Sequence, residues 1–248
     1  MNNHEFYSEY YKELSMPSVE WRELSGRIKA ENIINILNAR KISTVLEIGA
    51  GTGSILSYLS KMDFATKYYA LDISEEAINF IKKREDIIGL VDANTYDGHH
   101  LPYQDKQFDL VILSHVIEHL HNPAELLIEA ARVTRYLVVE VPLEDNLYTH
   151  IKINLFKSRY REETGHIQWF TKQKFLILLC KTCNLNLLDT RMVYVPDSAY
   201  FFYKGSKRNI FNHLSLFIKK ILRSISPNIY SLLLTDHCIA LVSDLKSC

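Results

Sequence analysis

The stretch "VLEIGAGTG", residues 45–53, decides the fold of this chain. Four residues typical of a buried strand lead directly into three glycines at every second position, and the apolar segment "SILSYLSKM" follows them. A strand, a glycine-rich turn and a helix N-terminus together form a pocket for a nucleotide-like ligand at the carboxyl edge of a parallel sheet. The glycines therefore predict a ligand that lies close to the backbone.

Strand and helix patterns alternate on both sides of this stretch. Helical periodicity is found in "WRELSGRIKAENIINILNAR", "SEEAINFIKKRE" and "NPAELLIEAARV", with Ser74 and Asn122 as expected N-caps of the last two. Strands are predicted in "KYYALDIS", "GLVDANTYDG", "FDLVILS" and "RYLVVEVP", and "TRMVYVP" and "DHCIALVSDL" extend the series. This alternation predicts an α/β fold with a doubly wound, mostly parallel sheet.

The chain of 248 residues is long enough for a single domain with additions at its ends. We divide it into an N-terminal helical cap (1–40), a ligand-binding core (41–196), a helical insertion (197–235) and a last strand (236–248). The cap is rich in aromatic residues, which suits either a lid over the ligand or a helix packed on the sheet; they are Phe6, Tyr7, Tyr10, Tyr11 and Trp21. The insertion contains "RNIFNHLSLFIKKILRSI", a basic amphipathic helix that can pack on its own domain, on a second copy in a homodimer, or less often on a membrane.

Composition narrows the classes of function. Lys plus Arg and Asp plus Glu both number 29, so the net charge is zero and the usual electrostatic reason to expect nucleic acid as a partner is missing. The polar N-terminus is unlike a signal peptide, so we expect a cytoplasmic protein with four reduced cysteines. Cys180 and Cys183 form a CxxC pair, but no second pair at zinc-binding spacing accompanies it, which favours a place in the core.

The residues around the glycines indicate which ligand the loop binds. A dinucleotide fingerprint needs a third glycine at position 54, where this chain has Ser54. Glu47 stands two residues before Gly49, where it would repel a pyrophosphate but suits an ammonium group. Asp72 closes the second strand about twenty residues after the loop, where an acid binds a ribose diol. A ligand with an adenosine ribose, an ammonium and no phosphate fits both acids, and S-adenosylmethionine (SAM) is that ligand.

The runs "VLEIGAGTG", "ALDIS" and "YDGHHLPYQDKQFDLVILSHVIEHLHNPAELLIEAARV" resemble, in order, three motifs of the class I SAM-dependent methyltransferases, within their small-molecule group. The resemblance covers roughly residues 40 to 195. It implies a seven-stranded sheet, SAM as cofactor and S-adenosylhomocysteine as product. It also implies that the cofactor is contacted by Glu47, Gly49, Ala50, Gly51, Gly53, Asp72, Ile73, Asp97, Gly98, His99, Ser114 and His115.

Within that set, the resemblance assigns different parts of the cofactor to different residues. Glu47 and the glycine loop would hold the methionine part, Asp72 the ribose hydroxyls, and Ile73 one face of the adenine. Asp97 would accept the adenine amino group, although an Asp-Gly pair also forms turns by itself. Gly98 departs mildly from the family, which more often has alanine at this position.

The acceptor is predicted by elimination. The motif typical of DNA amino-methyltransferases and the glutamate pair of protein-arginine enzymes are both absent after the fourth strand. A small-molecule acceptor is left, such as a sugar, a nucleotide-linked precursor of a surface polysaccharide or a secondary metabolite, methylated on a hydroxyl oxygen. The alternatives are N-methylation of a small amine and a non-catalytic, SAM-binding regulatory protein.

A hydroxyl acceptor needs a base, and histidine is the side chain best matched to that role at neutral pH. His115 in "SHVIEHLHNP" and His166 in "TGHIQWF" are the two candidates, whereas His119 is expected to make a structural hydrogen bond. No cluster of Asp, Asn or Glu with metal-ligand spacing follows the fourth and fifth strands, so we expect catalysis without a metal. Glu144 and Asp145 in "VPLEDN" are the alternative, as a carboxylate pair for magnesium.

Overall fold

The computed structural model describes residue 11 and residues 16–156, 164–194 and 210–245. Seven strands within these ranges form one sheet in the order β3-β2-β1-β4-β5-β7-β6. Their bounds are Thr44–Ile48 (β1), Lys67–Asp72 (β2), Leu90–Thr95 (β3), Phe108–Ser114 (β4), Thr134–Pro142 (β5), Leu185–Val193 (β6) and His237–Leu245 (β7). Only β7 runs antiparallel to its neighbours β5 and β6, which confirms the predicted seven-stranded, mostly parallel sheet.

Helices cover both faces of the sheet, as the prediction of a doubly wound fold requires. Their bounds are Met16–Leu37 (α1), Ser54–Lys61 (α2), Glu75–Lys82 (α3), Pro123–Val133 (α4), Leu147–Phe156 (α5), Lys172–Ile177 (α6), Ile210–Ile225 (α7) and Pro227–Leu233 (α8). A short 3₁₀ turn at Ile117–His119 follows β4, and α6 continues as a π turn at Leu178–Thr182. Apolar residues of α1, α2 and α3 pack on one face, and those of α4 and α6 on the other.

The central strands are apolar on both sides because both of their faces are covered. In β4, Leu110 and Ile112 belong to the cluster under α1, while Val111 and Leu113 belong to the cluster under α4. Successive side chains of a strand point to opposite faces, so a strand in this position needs an unbroken apolar run. Each fully buried Leu, Ile or Val contributes about 1.5–3 kcal/mol, so the buried side chains of β4 hold this strand firmly beneath the site.

Two of the predicted helix caps have different outcomes. Ser74 accepts a hydrogen bond from the Ala77 N–H at 3.2 Å, as expected of an N-cap. Asn122 occupies the N-cap position of α4 but caps no backbone N–H there, so that part of the prediction is wrong. Its side-chain amide instead donates to Glu125 Oε1 at 2.7 Å, and Pro123 begins the helix without needing an acceptor.

The N-terminal helix α1 packs on the sheet, as one of the two predictions for the cap has it, and the role of a lid stays a prediction. Ile33, Ile36 and Leu37 in its second half are buried against the sheet. Trp21 in its first half lies over the carboxyl edge, as does Tyr11 ahead of the helix, and both line the cavity there. Phe6, Tyr7 and Tyr10 lie outside the described residues.

The described part of the predicted insertion is helical, in α7 and α8. Arg223 of α7 forms an ion pair of 2.8 Å with Asp236, which is fully buried just before β7. The exposed apolar residues of α7 include Phe217 and Ile225. Among the residues that the structure describes, no helix has the length and apolarity needed to cross a membrane.

Cys180 of the CxxC pair lies in the π turn after α6, and Cys183 directly follows that turn. Cys183 is buried, and burial raises the pKa of its thiol to about 11, so it is a core residue rather than a reactive thiolate. Cys180 is partly exposed, and Cys238 is buried in β7. Cys248 lies outside the described residues.

Candidate active site

A cavity of about 580 Å³ opens at the carboxyl edge of the sheet, between β1 and β4. The strand order reverses at this point, because β2 and β3 continue on one side of β1 and β4 and β5 on the other. Ligands of open α/β sheets bind in the crevice that such a reversal creates. Nine of the twelve predicted cofactor residues line the cavity: Glu47, Gly49, Ala50, Gly51, Asp72, Ile73, Gly98, Ser114 and His115.

The glycine loop after β1 forms the floor of one end of the cavity. Gly49 and Gly51 have φ angles of 71° and 57°, which L-residues with a side chain rarely adopt. A Cβ on Gly49 would lie 2.5 Å from a methyl carbon of Val116, and one on Gly51 would lie 2.6 Å from the Tyr11 hydroxyl oxygen. The loop therefore requires glycine at both positions. Gly53, the third glycine, forms the N-cap of α2 and does not line the cavity.

Asp72, the last residue of β2, is 5% exposed and links two turns. Its Oδ2 accepts the Gly51 N–H at 2.8 Å and its Oδ1 accepts the Ser74 N–H at 2.9 Å. Burial raises the pKa of this carboxyl, while the two backbone hydrogen bonds oppose the rise. Each carboxylate oxygen can accept a second hydrogen bond, so Asp72 can hold the loop and a ribose diol at once.

Glu47 in β1 is 3% exposed, and its Oε2 has no hydrogen-bond partner among the residues that the structure describes. Burial raises its pKa to about 8, although the nearby Lys29 ammonium acts in the opposite direction. A buried carboxyl group with a raised pKa is suited to a positively charged ligand, because a cation in the cavity would stabilise its ionised form.

Lys29 reaches the same cavity from α1, and the sequence analysis missed it. Burial lowers the pKa of its ammonium, and the carboxylates of Glu140, Glu118 and Glu47 oppose that shift. The one sequence signal is a lysine between Ile28 and Ala30, beside the apolar positions of the helix.

The predicted adenine side is only partly assembled by the structure. Ile73, Tyr96 and Gly98 line the cavity, whereas Asp97 and His99 do not. Asp97 is exposed, and its Oδ1 accepts the N–H groups of His99 and His100 at 2.8 Å each, which lowers its pKa. Asp97 thus forms the Asp-Gly turn, and its contact with adenine stays a prediction.

The opposite end of the cavity contains a network of buried acids and histidines around His115. The His115 Nε2 lies 3.3 Å from His237 Nδ1, which lies 3.1 Å from Glu140 Oε1. The His115 Nδ1 lies 3.2 Å from Glu118 Oε1, and the Ser114 hydroxyl donates to Glu140 Oε2 at 3.4 Å. His115 also has a φ of 58°, a conformation that costs a residue with a side chain about 1–3 kcal/mol.

The charges around His115 shift its titration. Burial and the Lys29 ammonium lower its pKa, but hydrogen bonds to Glu118 and Glu140 outweigh them and leave the pKa above its ordinary value. Burial raises the pKa of Glu118, yet His115 and the neighbouring histidines bring it down to about 2. The acids are therefore ionised and the imidazole beside them is a stronger base than histidine in water.

A loop far along the chain brings His166 to this network. The backbone N–H groups of Ile167 and Gln168 both donate to the Glu118 carbonyl at 2.8 Å. This connection stacks the rings of His119 and His166 edge to face, with centroids 4.7 Å apart. Both rings line the cavity. The structural hydrogen bond predicted for His119 is confirmed, since its Nδ1 lies at hydrogen-bond distance from the Gly165 carbonyl.

Outer acceptors fix the orientation of both rings. The His119 Nδ1 lies 3.1 Å from the Gly165 carbonyl, and the His166 Nδ1 lies 2.5 Å from Glu144 Oε2. Glu144, one of the two carboxylates considered as a magnesium pair, therefore bonds to the ring of a histidine. Its partner in that pair, Asp145, binds Lys174 at 2.6 Å instead.

Glu140 and His237 were missed by the sequence analysis for different reasons. Glu140 had a signal, since it is the lone acid in the apolar strand "RYLVVEVP". His237 had none, because only the antiparallel pairing of β7 with β5 places it opposite Pro142, at the mouth of the cavity.

Comparison with known proteins matches residues 46–136 to a family model described as a methyltransferase domain. The fatty-acid O-methyltransferase of Mycolicibacterium smegmatis is 39% identical over 92 residues, which are 37% of this chain and 33% of that protein. The malonyl-[acyl-carrier protein] O-methyltransferase of a Marinomonas species is 25% identical over 187 residues, 72% of this chain and 68% of that protein. This chain spans about a third of the length of the first curated relatives that it matches.

Solved structures share the whole fold at low sequence identity. The geranyl diphosphate C-methyltransferase of Streptomyces coelicolor, solved with Mg²⁺, geranyl diphosphate and S-adenosyl-L-homocysteine, superposes with a TM-score of 0.62. The match covers 87% of this chain and 78% of that one at 10% identity. It therefore bears on the fold alone.

Proposed function

This chain carries a class I SAM-dependent methyltransferase domain, and from that premise we propose that it transfers the methyl group of SAM to an oxygen atom of a small-molecule acceptor. The match to a methyltransferase family model confirms the resemblance drawn from the motifs, and SAM is the cofactor that this family implies. The observation that carries the proposal is a single cavity with two different ends: a glycine loop with Glu47 and Asp72 at one end, and buried acids and histidines at the other.

At the cofactor end, Glu47 would bind the ammonium of SAM and Asp72 its ribose hydroxyls. The glycine loop would lie against the methionine part, because Gly49 and Gly51 leave no side chain between the backbone and the cavity. The sulfonium methyl would then face Ser114 and His115 at the end of β4.

Methyl transfer from a sulfonium needs little from the protein besides proximity and alignment. The acceptor oxygen attacks the methyl carbon, the carbon–sulfur bond breaks, and S-adenosylhomocysteine leaves as a neutral thioether. A hydroxyl acceptor loses its proton in this step, and we assign that proton to His115. Its ring lies in the cavity between the carboxylates of Glu118 and Glu140, which would stabilise the imidazolium.

The acceptor class is proposed from the names of the relatives together with the chemistry of the cavity. Two of the relatives are named as O-methyltransferases of fatty acids and of malonyl-[acyl-carrier protein]. We therefore place hydroxyl and carboxyl groups of acyl compounds first among the acceptors, and sugar hydroxyls second.

The test incubates the protein with methyl-labelled SAM and a panel of fatty acids, hydroxy-acyl compounds, sugars and amines. S-adenosylhomocysteine formation and mass spectrometry of the product identify the acceptor and the methylated atom. We expect label on oxygen. Label on nitrogen would favour the amine alternative, and tight SAM binding without turnover on the panel or on a metabolite extract would favour a regulatory protein.

A further inference from the structure

Glu118, His119 and His166 form a compact group on the acceptor side of the cavity. Each side chain offers one metal-ligating atom, and the three atoms lie within 4.8 Å of one another. Two imidazoles and one carboxylate are a ligand set that suits divalent transition metals such as zinc, iron, manganese and cobalt.

The carboxylate of Glu118 is the strongest reason to place a cation here. It is fully buried, and the His115 ring, with its Nδ1 3.2 Å from Oε1, is the one side chain that the structure places at ion-pair distance from it among the described residues. No further donor reaches its oxygens there. An ionised carboxylate taken out of water with so few hydrogen bonds is costly, and a bound cation would offset that cost.

The two histidines are already oriented as metal ligands usually are. His119 directs its Nδ1 at the Gly165 carbonyl and His166 directs its Nδ1 at the Glu144 carboxylate. These acceptors place the ring proton on Nδ1, so each neutral ring has its lone pair on Nε2. A histidine that binds a metal through one ring nitrogen typically donates the N–H of the other to such a carbonyl or carboxylate, and this hydrogen bond fixes the tautomer of the ring.

The neighbouring group of His115, Glu140 and His237 has ligand-type atoms at similar spacing. Its carboxylate, however, already accepts hydrogen bonds from Ser114 and His237. That carboxylate has hydrogen-bond donors on both oxygens, whereas the carboxylate of Glu118 has only the His115 ring beside it among the described residues.

We propose that Glu118, His119 and His166 bind one divalent transition-metal ion, with its remaining coordination positions open to the cavity. This replaces the expectation of metal independence, which considered only carboxylate and amide clusters in the sequence. A Lewis acid here would hold the acceptor oxygen and favour its deprotonation next to His115. That use rests on the proposed function, whereas metal binding by itself does not.

The experiment uses full-length protein without a histidine tag, stripped with a chelator and titrated with Co²⁺ while its visible absorption is recorded. We expect one Co²⁺ ion to bind per protein chain, with the visible absorption of a site made of histidine and carboxylate ligands. Added Zn²⁺ should displace the Co²⁺. Glu118→Gln and His166→Ala should each weaken Co²⁺ binding at least about tenfold, since each removes a ligand. His121→Ala, which removes an exposed histidine outside the cavity, is the matched control and should bind Co²⁺ like the wild type.

Circular dichroism and SAM affinity establish that each variant is folded. Because the His166 side chain lies in a loop and is less buried than that of Glu118, its variant keeps the test usable if the Glu118 variant unfolds. Wild-type protein that binds no stoichiometric Co²⁺ would overturn the proposal. So would Co²⁺ binding that survives in His166→Ala but is lost in His237→Ala, since the ion would then occupy the other group.

The outcome is separate from that of the proposed function. Co²⁺ binding without methylation of any acceptor would leave the metal site standing and count against the transferase. Full turnover in the presence of a chelator, with no Co²⁺ binding, would remove the metal and leave the transferase intact.

Discussion

The two ends of the cavity are built in opposite ways. The cofactor end is assembled mainly from the carboxyl ends of β1 and β2 and the turns that follow them, so most of its parts lie within a few residues of a strand end. The acceptor end combines the turn after β4, the end of β5, the loop before α6 and the start of β7. A local motif is enough to hold a cofactor shared by a whole family, whereas the acceptor site depends on how distant segments pack.

The largest effect is expected at the acceptor end. With a hydroxyl acceptor, His115→Ala should lower turnover about 10²–10⁴-fold, because it removes the proposed base, while SAM affinity changes little. A carboxylate acceptor is already ionised at neutral pH, so the same variant should then keep most of its turnover. Steady-state kinetics with the acceptor found in the panel and calorimetry with SAM measure the two quantities separately. His121→Ala is the control, and a His115→Ala variant as active as that control on a hydroxyl acceptor would end the assignment of the base.

At the cofactor end, Asp72→Ala should weaken SAM binding by about 1–3 kcal/mol, the cost of losing hydrogen bonds to a charged group. Asp109 provides a matched control at the other edge of the sheet, where its Oδ2 accepts the Ser43 and Thr44 N–H groups at 2.9 and 3.1 Å. Asp109→Ala should leave SAM affinity unchanged. Equal SAM affinity in both variants would refute the ribose assignment, and a saturable NAD isotherm with the wild type would refute the cofactor end as a whole.

A smaller effect is expected from pH. In the cofactor-free protein the pKa of Glu47 is about 8, so the group is mostly protonated at pH 6 to 7.5. Binding the SAM ammonium requires the carboxylate, so binding should release a proton, and affinity should rise with pH by up to about tenfold per unit in this range. Calorimetry in buffers of different ionisation enthalpy counts the proton. Glu47→Gln should abolish the pH dependence, and a proton count unchanged in that variant would contradict the assignment.

The smallest effects come from two helix caps, one at each end. Ser74 caps α3 next to Asp72, and Thr171 caps α6 after the His166 loop by accepting the Lys174 N–H at 3.1 Å. Replacing either with alanine should cost about 1 kcal/mol of unfolding free energy, measured in urea. Only Ser74→Ala should also weaken SAM binding, and only Thr171→Ala should also slow turnover. The opposite pattern would show that the two ends are not independent.

Much of the fold could be predicted from local patterns, because the side chains of a strand or helix reflect how that element is buried and where it begins. The continuous apolar run of β4 indicates burial on both faces, and the hydroxyl of Ser74 marks the start of α3. The two failures have different causes, one local and one tertiary. The cap at Asn122 was wrong because its side chain bonds Glu125 instead, and β6 begins at Leu185, earlier than predicted, because pairing with β7 extends it into a polar stretch.

The sequence by itself determined the fold class, the cofactor and the residues that surround the glycine loop, because backbone conformation and strand ends dictate those positions over a few residues. Only the tertiary structure decided that His166 and His237 join His115, Glu118 and Glu140. Their approach depends on an antiparallel strand pairing and on two backbone hydrogen bonds to the Glu118 carbonyl. Contacts between segments so far apart along the chain leave no periodic pattern in the sequence. Each of these residues is positioned by the packing of its own segment against another, and not by its sequence neighbours.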